Sequence, residues 1–165
     1  GGGYLNGRNA QEECLCRQTL LYPTLKASTM HSRYKADKNI YSNDIMVYSP
    51  NVYVIRDNSY SPIEIPFLID IISAPAVDNR KYVSNAAHIM ERRIRKIVKL
   101  AAYKKNNVLV LGAFGCGVFN NNPKEVARIF AKVLVNEGLK DYFKLVVFPI
   151  YKDDKCKKIF ENALL

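Results

Sequence analysis

Residues 108–123 have the sequence VLVLGAFGCGVFNNNP, in which an apolar run leads into a glycine-spaced loop and then into a helix start. The continuous apolar run Val108–Leu111 is typical of a central parallel strand that is covered on both faces. Asn122 predicts an N-cap and Pro123 the first helical position, with the helix running to Glu137 and ending at Gly138. This strand–loop–helix order predicts an α/β fold.

The flanking segments extend the same alternation. Apolar residues recur at a spacing of three to four over about Asn85–Lys105, which predicts an amphipathic helix. Leu145–Ile150 predicts another buried strand, Asp153–Leu164 a closing helix, and the apolar run Phe67–Ser73 an earlier buried strand. The resulting order predicts a three-layer α/β/α fold with a mixed, largely parallel sheet, over a single domain of residues 1–165.

Composition narrows the classes of function. The chain has 165 residues, is 48% hydrophobic and carries a formal net charge of +10, which favours an anionic partner such as nucleic acid, nucleotide, phosphate polymer or anionic lipid. Its apolar runs are too short to cross a bilayer, so no membrane association is expected. Four cysteines without a CxxC pair predict a reducing, cytoplasmic location. His31 and His88 are isolated, and neither a metal nor a cofactor is expected.

The loop Gly112–Asn122 is a candidate phosphate site. Ligands of open α/β sheets bind beyond the carboxyl ends of strands, where backbone N–H groups and a helix N-terminus suit anions. The spacing matches neither a P-loop nor GxGxxG. A tight turn that binds nothing is therefore the alternative for this loop taken alone.

The N-terminal stretch contains a second glycine loop. Gly1–Gly3 precedes a helix predicted over about Ala10–Leu21, with Asn9 as N-cap and Pro23 as the stop. The first turn of this helix carries Gln11, Glu12 and Glu13. Adjacent helical residues point about 100° apart, so the two glutamates are expected to have different roles. Acidic residues there also stabilise the helix dipole, by about 0.3–1 kcal/mol each, but this does not explain three glycines.

This GGG…QEE pattern resembles bacterial-type poly(ADP-ribose) glycohydrolases, which are built on a macrodomain. The resemblance covers most of the chain and continues through further segments: Leu15–Arg17, Leu21–Pro23, Tyr48–Asp57, Ile72–Ala76 and Gly112–Pro123. Members of that family carry a strand and an asparagine-containing stretch before the glycines, so an upstream segment is expected to precede Gly1.

The resemblance also implies roles for individual residues. Gly1, Gly2 and Gly3 would lie near the distal ribose and diphosphate. Glu13 would be the catalytic acid, Glu12 would position the ribose, and Gln11 would support the pair. The implied second phosphate loop comprises Gly115, Cys116, Gly117, Val118, Phe119 and Asn120, with the Phe119 ring against the ribose, and Ala74–Ala76 would end a strand near the ligand.

The implied reaction is hydrolysis of the ribose–ribose O-glycosidic bond of poly(ADP-ribose), releasing ADP-ribose. Such a reaction has an oxocarbenium-like transition state and needs an acid on the leaving oxygen. Neighbouring glutamates do not offer the separated carboxyls of ordinary glycosidases, so Glu13 is expected to act alone. The implied partners are poly(ADP-ribose), ADP-ribose and ADP-ribosylated proteins. The alternatives are a non-catalytic ADP-ribose-binding module and a nucleic-acid-binding domain, which only net charge supports.

Two further features are open to alternative interpretations. Cys116 lies in a loop, where either a reactive thiol or structural packing is conceivable. Seven basic residues of the predicted helix 85–105 are expected on the face opposite Met90 and Ile94, as a solvated face or a polyanion track: Arg92, Arg93, Arg95, Lys96, Lys99, Lys104 and Lys105. The eleven tyrosines are scattered along the sequence, which weakens the case for stacking on a single strand.

Overall fold

The computed structural model describes residues 3–29, 32, 36 and 43–165. It divides the chain into two compact units, one of Gly1–Ile40 and Ile45–Ser73 and the other of Tyr41–Asp44 and Ala74–Leu165. The single domain over residues 1–165 stays a prediction. No helix within the described residues is long and apolar enough to cross a membrane.

The first unit begins with a 3₁₀ turn at Tyr4–Asn6 and two short helices, α1 (Gln11–Gln18) and α2 (Leu21–Ala27). The single helix predicted over Ala10–Leu21 is therefore wrong. The chain breaks at Thr19, whose hydroxyl donates to the Leu15 carbonyl at 2.7 Å and accepts the Leu21 N–H at 3.1 Å. Pro23 does not stop a helix, because it lies in the first turn of α2, where its missing N–H has no intrahelical partner.

The helices pack on an antiparallel pair of strands, β1 (Val47–Arg56) and β2 (Pro62–Ser73). A bulge interrupts the register between Ser49 and Val52 and bends β1. The core of this unit consists of Cys16, Leu21, Leu25, Val47, Val52 and Ile71. Phe67 and Leu68 are 54% and 48% exposed, so the prediction of a buried strand over 67–73 is wrong for them. Within the described residues, the contacts of the two helices with the strands are mainly to β1.

The second unit alternates helices and parallel strands. Its elements are α3 (Ala86–Tyr103), β3 (Val108–Val110), α4 (Pro123–Ala131), a π-helical turn at Lys132–Asn136, a 3₁₀ turn at Leu139–Tyr142, β4 (Leu145–Val147) and α5 (Asp154–Leu164). Strands β3 and β4 are parallel, with Val108 opposite Leu145. The α/β class is confirmed, and both antiparallel and parallel pairs occur.

The predicted helix boundaries of this unit are confirmed where a cap defines them. The Asn122 side chain accepts the Lys124 N–H at 2.9 Å, and Pro123 is the first residue of α4. The Asp153 side chain accepts the Cys156 N–H at 2.9 Å at the start of α5. Gly138 adopts φ +71°, as expected of the residue that ends a helix.

The burial of the β3 side chains differs from the prediction. Leu109 is buried, but Val108 and Val110 are 51% and 65% exposed, so among the described residues the strand is not covered on both faces. Alternate residues of a strand point to opposite faces, and only the Leu109 face is packed. Leu145 of the paired strand is 54% exposed, and β4 ends at Val147 rather than Ile150.

The predicted basic face of α3 is also wrong in part, because Arg93 is buried with 1% of its side chain exposed. Its guanidinium donates to the Pro75 carbonyl at 3.0 Å and to Asp44 Oδ1 at 3.2 Å. Arg92 donates to the same Asp44 carboxylate. Arg95 is paired with Glu91 and Glu137. The first half of the supposed polyanion track is therefore neutralised by carboxylates of the second unit.

Candidate active site

The first glycine loop is folded back onto α1 through Gly3. The Gly3 N–H donates to Glu13 Oε1 at 3.1 Å, and the Gly3 carbonyl accepts the N–H groups of Asn6 and Arg8, both at 3.1 Å. Arg17 on α1 donates to the Arg8 carbonyl and so fastens the far end of the loop. The loop from Gly3 to Arg8 is thus held at both ends by α1.

Only glycine fits at position 3. A Cβ atom there would lie 2.8 Å from Arg8 Cβ and 2.9 Å from Arg8 Cγ, closer than carbon atoms approach in proteins. The backbone of the loop therefore passes directly against the buried carboxylate of Glu13. Gly1 and Gly2, which the sequence also assigned to this loop, lie outside the described residues.

The two neighbouring glutamates have different environments, as their angular separation predicted. Glu13 is buried with 7% of its surface exposed, whereas Glu12 is half-buried and Gln11 is exposed. Ala10, not Asn9, is the residue that precedes the first helical position, and no side chain caps α1 there. The predicted N-cap at Asn9 is therefore wrong, and the chain presents one buried carboxylate next to a glycine backbone.

The support of this loop includes residues that the sequence did not single out. The rings of Tyr4 and Tyr22 lie 4.6 Å apart, and both pack against the core of the first unit. Arg17 was visible in the sequence only as part of a family segment. Its bond to a backbone carbonyl nine residues earlier depends on the fold of the loop, and no sequence spacing indicates it.

The second glycine loop, in the other unit, is closed by Asn121. The Gly115 carbonyl accepts the backbone N–H of Asn121 at 3.1 Å and its side-chain amide at 2.9 Å. The same amide donates to the Val77 carbonyl at 2.7 Å, and Asn121 is 5% exposed. The Asn79 N–H donates to the Phe119 carbonyl at 2.9 Å. The loop is thereby tied to the segment that follows β2, which includes the predicted Ala74–Ala76.

The tip of this loop presents backbone donors. Within the described part of the chain, the N–H groups of Gly117, Val118 and Phe119 donate to no protein acceptor. Val118 is 71% exposed, and Asn120 adopts φ +55°. Successive open N–H groups close to a helix N-terminus are donors of the type that can bind phosphate. The predicted residues Gly115–Asn120 therefore lie in one loop with this chemistry, and sequence reasoning missed Asn121, which holds it.

Substitution of Gly115 by alanine is expected to destabilise the second unit by about 2–4 kcal/mol. Gly115 adopts φ +75°, and a Cβ there would lie 2.6 Å from Ala76 Cβ and 2.7 Å from Asn121 Nδ2. Gly117→Ala is the matched control, because a Cβ at position 117 meets nothing within 4 Å. Urea unfolding of both variants measures the difference, and an equal stability of the two would refute this role of Gly115.

The surroundings of Cys116 disfavour the thiolate form. Burial, together with nearby Cys156 and Asp153, raises the pKa of Cys116 to about 12. Because the thiolate is the nucleophile, we expect alkylation by iodoacetamide at pH 7 to be at least about 100-fold slower than that of a free thiol. Mass spectrometry of the tryptic peptide gives the rate. Alkylation at the rate of free cysteine would restore the reactive-thiol alternative.

No group of three or more His, Cys, Asp or Glu that could hold a metal ion occurs among the residues that the structure describes. The first loop places the buried carboxylate of Glu13 beside the Gly3 N–H, and the second loop exposes backbone N–H groups.

Comparison with known proteins places these features in a family. The family model of the microbial-type PARG catalytic domain matches residues 1–57, which include the first loop and both glutamates. No curated protein matches the chain.

Several solved structures have the same fold. The poly(ADP-ribose) glycohydrolase of Thermomonospora curvata is 31% identical with a TM-score of 0.87, and the match covers 98% of this chain and 63% of that enzyme. A structure of that enzyme with the inhibitor ADP-HPD is 32% identical, with a TM-score of 0.87. The match covers 98% of this chain and 64% of that one. The Deinococcus radiodurans enzyme in complex with ADP-ribose is 32% identical, with a TM-score of 0.84. The match covers 99% of this chain and 70% of that one.

The chain thus spans less than two thirds of the length of the Thermomonospora curvata enzyme and 70% of the Deinococcus radiodurans enzyme. The match extends over both units, from the Gly3–Glu13 loop to the final helix. On this likeness of sequence and structure, the chain belongs to the family of microbial-type poly(ADP-ribose) glycohydrolases.

Proposed function

We propose that this chain hydrolyses the ribose–ribose O-glycosidic bonds of poly(ADP-ribose) and releases ADP-ribose. The observation that carries the proposal is the buried carboxylate of Glu13, held by the Gly3 N–H at 3.1 Å. A single positioned carboxyl beside a loop without side chains suits acid–base chemistry on a sugar that lies close to the backbone. Family membership supports the same assignment.

In the proposed reaction, Glu13 first donates a proton to the leaving ribose oxygen as the C1–O bond breaks. The glycosyl centre develops oxocarbenium character, which the adjacent substrate diphosphate stabilises. The resulting Glu13 carboxylate then removes a proton from the water that attacks C1, which regenerates the acid. Because the Gly3 N–H holds Oε1, the other oxygen, Oε2, is left for these proton transfers.

Glu12 has a separate proposed role. It is half-buried one position before Glu13 and points to a different side of α1, so it cannot take part in the same proton transfer. We assign to it a hydrogen bond to the substrate ribose, with Gln11 beside it. In the second unit, the loop Gly115–Asn120 is proposed to bind phosphate through its open N–H groups, with the Phe119 ring against the ribose.

The proposed substrates reach the chain as polymer on ADP-ribosylated proteins or as free poly(ADP-ribose). All four cysteines are free thiols, which supports a reducing location such as the cytoplasm.

The test is incubation of the chain with purified poly(ADP-ribose) and chromatography of the products. The proposal predicts that ADP-ribose accumulates with time in proportion to protein concentration. Binding of ADP-ribose without any release from the polymer would contradict it and favour a binding module. A thermal shift with DNA and none with ADP-ribose would favour a nucleic-acid-binding domain.

A further inference from the structure

The C-terminal end of α3 and the turn before β4 carry exposed aromatic and basic side chains. We call these residues the distal surface: Tyr103, Lys104, Lys105, Lys140, Tyr142 and Lys144. Tyr103 is 79% exposed and Tyr142 is 67% exposed, although both rings are large and apolar enough to be buried in a core. The four lysines are exposed as well.

Hydrogen bonds show why these residues lie at one end of the second unit. Arg95 in the middle of α3 donates to Glu137 at 2.6–2.8 Å, and beyond the end of α3 the Asn107 carbonyl accepts the Lys144 N–H at 2.8 Å. The chain from Glu137 to Lys144 therefore runs beside the last turns of α3. The 3₁₀ turn that contains Lys140 and Tyr142 lies between these two hydrogen-bonded positions of the chain and contacts α3.

The charge of the distal surface differs from that of the rest of α3. Arg92, Arg93 and Arg95 face the carboxylates of Asp44, Glu91 and Glu137. The distal surface carries four exposed lysines, with Asp141 next to two of its residues in the sequence, and Glu137 is engaged by Arg95. Lys104 lies 5.8 Å from the centre of the Tyr103 ring, so cation and ring are presented together. The structure thus brings together aromatic and basic residues that are scattered in the sequence.

We propose that the distal surface binds poly(ADP-ribose) at units remote from the bond that is cleaved. The polymer carries phosphates that lysines can neutralise, and adenine bases that can stack on exposed tyrosine rings. The inference rests on the proposed function, which brings this polymer to the chain.

The position of the surface makes the effect depend on polymer length. Strand β3 begins just after the end of α3 and leads to the loop Gly112–Asn122 at its other end. The three residues of β3 span about 10 Å, and the distal surface and the second glycine loop lie at opposite ends of this strand. A monomer of ADP-ribose bound at that loop has no further units for the distal surface, whereas a long polymer has many.

The test compares two double variants with the same change in net charge. Lys104→Glu with Lys144→Glu alters the distal surface, and Lys157→Glu with Lys158→Glu alters exposed positions of α5. Both are made in a Glu13→Gln background to slow cleavage. Fluorescence anisotropy measures binding of labelled long polymer, of monomeric ADP-ribose and of single-stranded DNA.

We expect the distal pair to weaken binding of long polymer at least about tenfold near 0.1 M salt and to flatten its salt dependence. Tyr103→Ala with Tyr142→Ala should weaken it at least about fivefold. Affinity for monomeric ADP-ribose should change less than about twofold, because the monomer has no remote units to bind at the distal surface. The α5 pair should have little effect.

Three results overturn the inference. The first is unchanged polymer affinity in the distal variants, and the second is an equal loss of polymer affinity in the α5 pair. The third is DNA that binds more tightly than polymer and loses affinity in the distal variants to the same extent. The last result would make this a nucleic-acid surface. Failure of the unsubstituted chain to release ADP-ribose is a different result, because it overturns the proposed function. Anisotropy still decides whether the distal surface binds polymer.

Discussion

Glu13→Gln is expected to reduce kcat for ADP-ribose release by about 10²–10⁴-fold, which corresponds to about 3–5 kcal/mol of lost transition-state stabilisation. Glutamine keeps an oxygen that can accept the Gly3 N–H, so the loop remains in place. It has no acidic proton to give to the leaving oxygen and no carboxylate to activate water. Steady-state kinetics on the polymer should therefore show a fall in kcat with KM nearly unchanged.

Glu12→Gln is the matched control for this prediction. It makes the same chemical change one residue away, on a half-buried side chain, and should mainly raise KM if Glu12 binds the ribose. Thermal unfolding of both variants shows whether the fold is retained. An equal loss of kcat in the two variants, or full activity of Glu13→Gln, would refute the assignment of Glu13 as the acid.

Asp44→Ala is expected to lower the free energy of unfolding by about 3–5 kcal/mol, a large part of the stability of a typical domain. Its carboxylate accepts hydrogen bonds from Arg92 and Arg93, and the side chain of Arg93 is 1% exposed. Removing Asp44 takes away a carboxylate partner of the buried Arg93 guanidinium, which also donates to the carbonyls of Pro75 and Asn43. Urea unfolding at pH 7 measures this effect.

The contribution of Asp44 to the free energy of unfolding is expected to depend on pH. Burial alone would raise the pKa of Asp44, but hydrogen bonds from Arg92 and Arg93 outweigh it and hold the pKa below its usual value. The contribution of Asp44 is therefore present at neutral pH, and it is lost as pH falls through the lowered pKa. The stability difference between the unsubstituted chain and Asp44→Ala should shrink below about pH 4.

Glu161→Ala serves as the control for Asp44, because its contact with Lys157 is 3.8 Å long and both side chains are at least half exposed. Such pairs contribute at most about 0.5 kcal/mol. If Asp44→Ala were no more destabilising than Glu161→Ala, the Asp44–Arg93 contact would not support the fold.

Local signals predicted much of the second unit. Asn122 and Asp153 cap helices with their own side chains, and Gly138 adopts a positive φ, so the information lies within a few residues of each boundary. Thr19 shows where local reasoning failed. Its hydroxyl bonds to Leu15 and Leu21 and breaks what the sequence predicts as one helix, because a threonine within a helical pattern carries no signal of its own.

Burial was predicted less well because it depends on distant residues. The apolar runs at Val108–Leu111 and Phe67–Ser73 indicate strands, but not how many neighbours each strand has. Arg93 was placed on a solvated face from helix periodicity, whereas a carboxylate 49 residues earlier makes its burial tolerable. A pairing of that kind leaves no trace in local spacing.

For the candidate site, the Gly3–Glu13 pair followed from the resemblance of the GGG…QEE pattern, and the structure brings the two residues into contact. Asn121 was missed because its role is to donate to the carbonyls of Gly115 and Val77, and the second lies 44 residues away. Asparagine in a loop with two other asparagines gives no indication of which one is buried.

Catalysis by Glu13 requires its side chain to lie next to the bond that is cleaved. A crystal structure of the Glu13→Gln variant with ADP-ribose measures this position directly. The prediction is that the anomeric oxygen of the distal ribose lies within about 3 Å of the side chain at position 13, with its ribose against the Gly3 backbone. ADP-ribose bound with that oxygen beyond hydrogen-bond reach of position 13 would contradict the account.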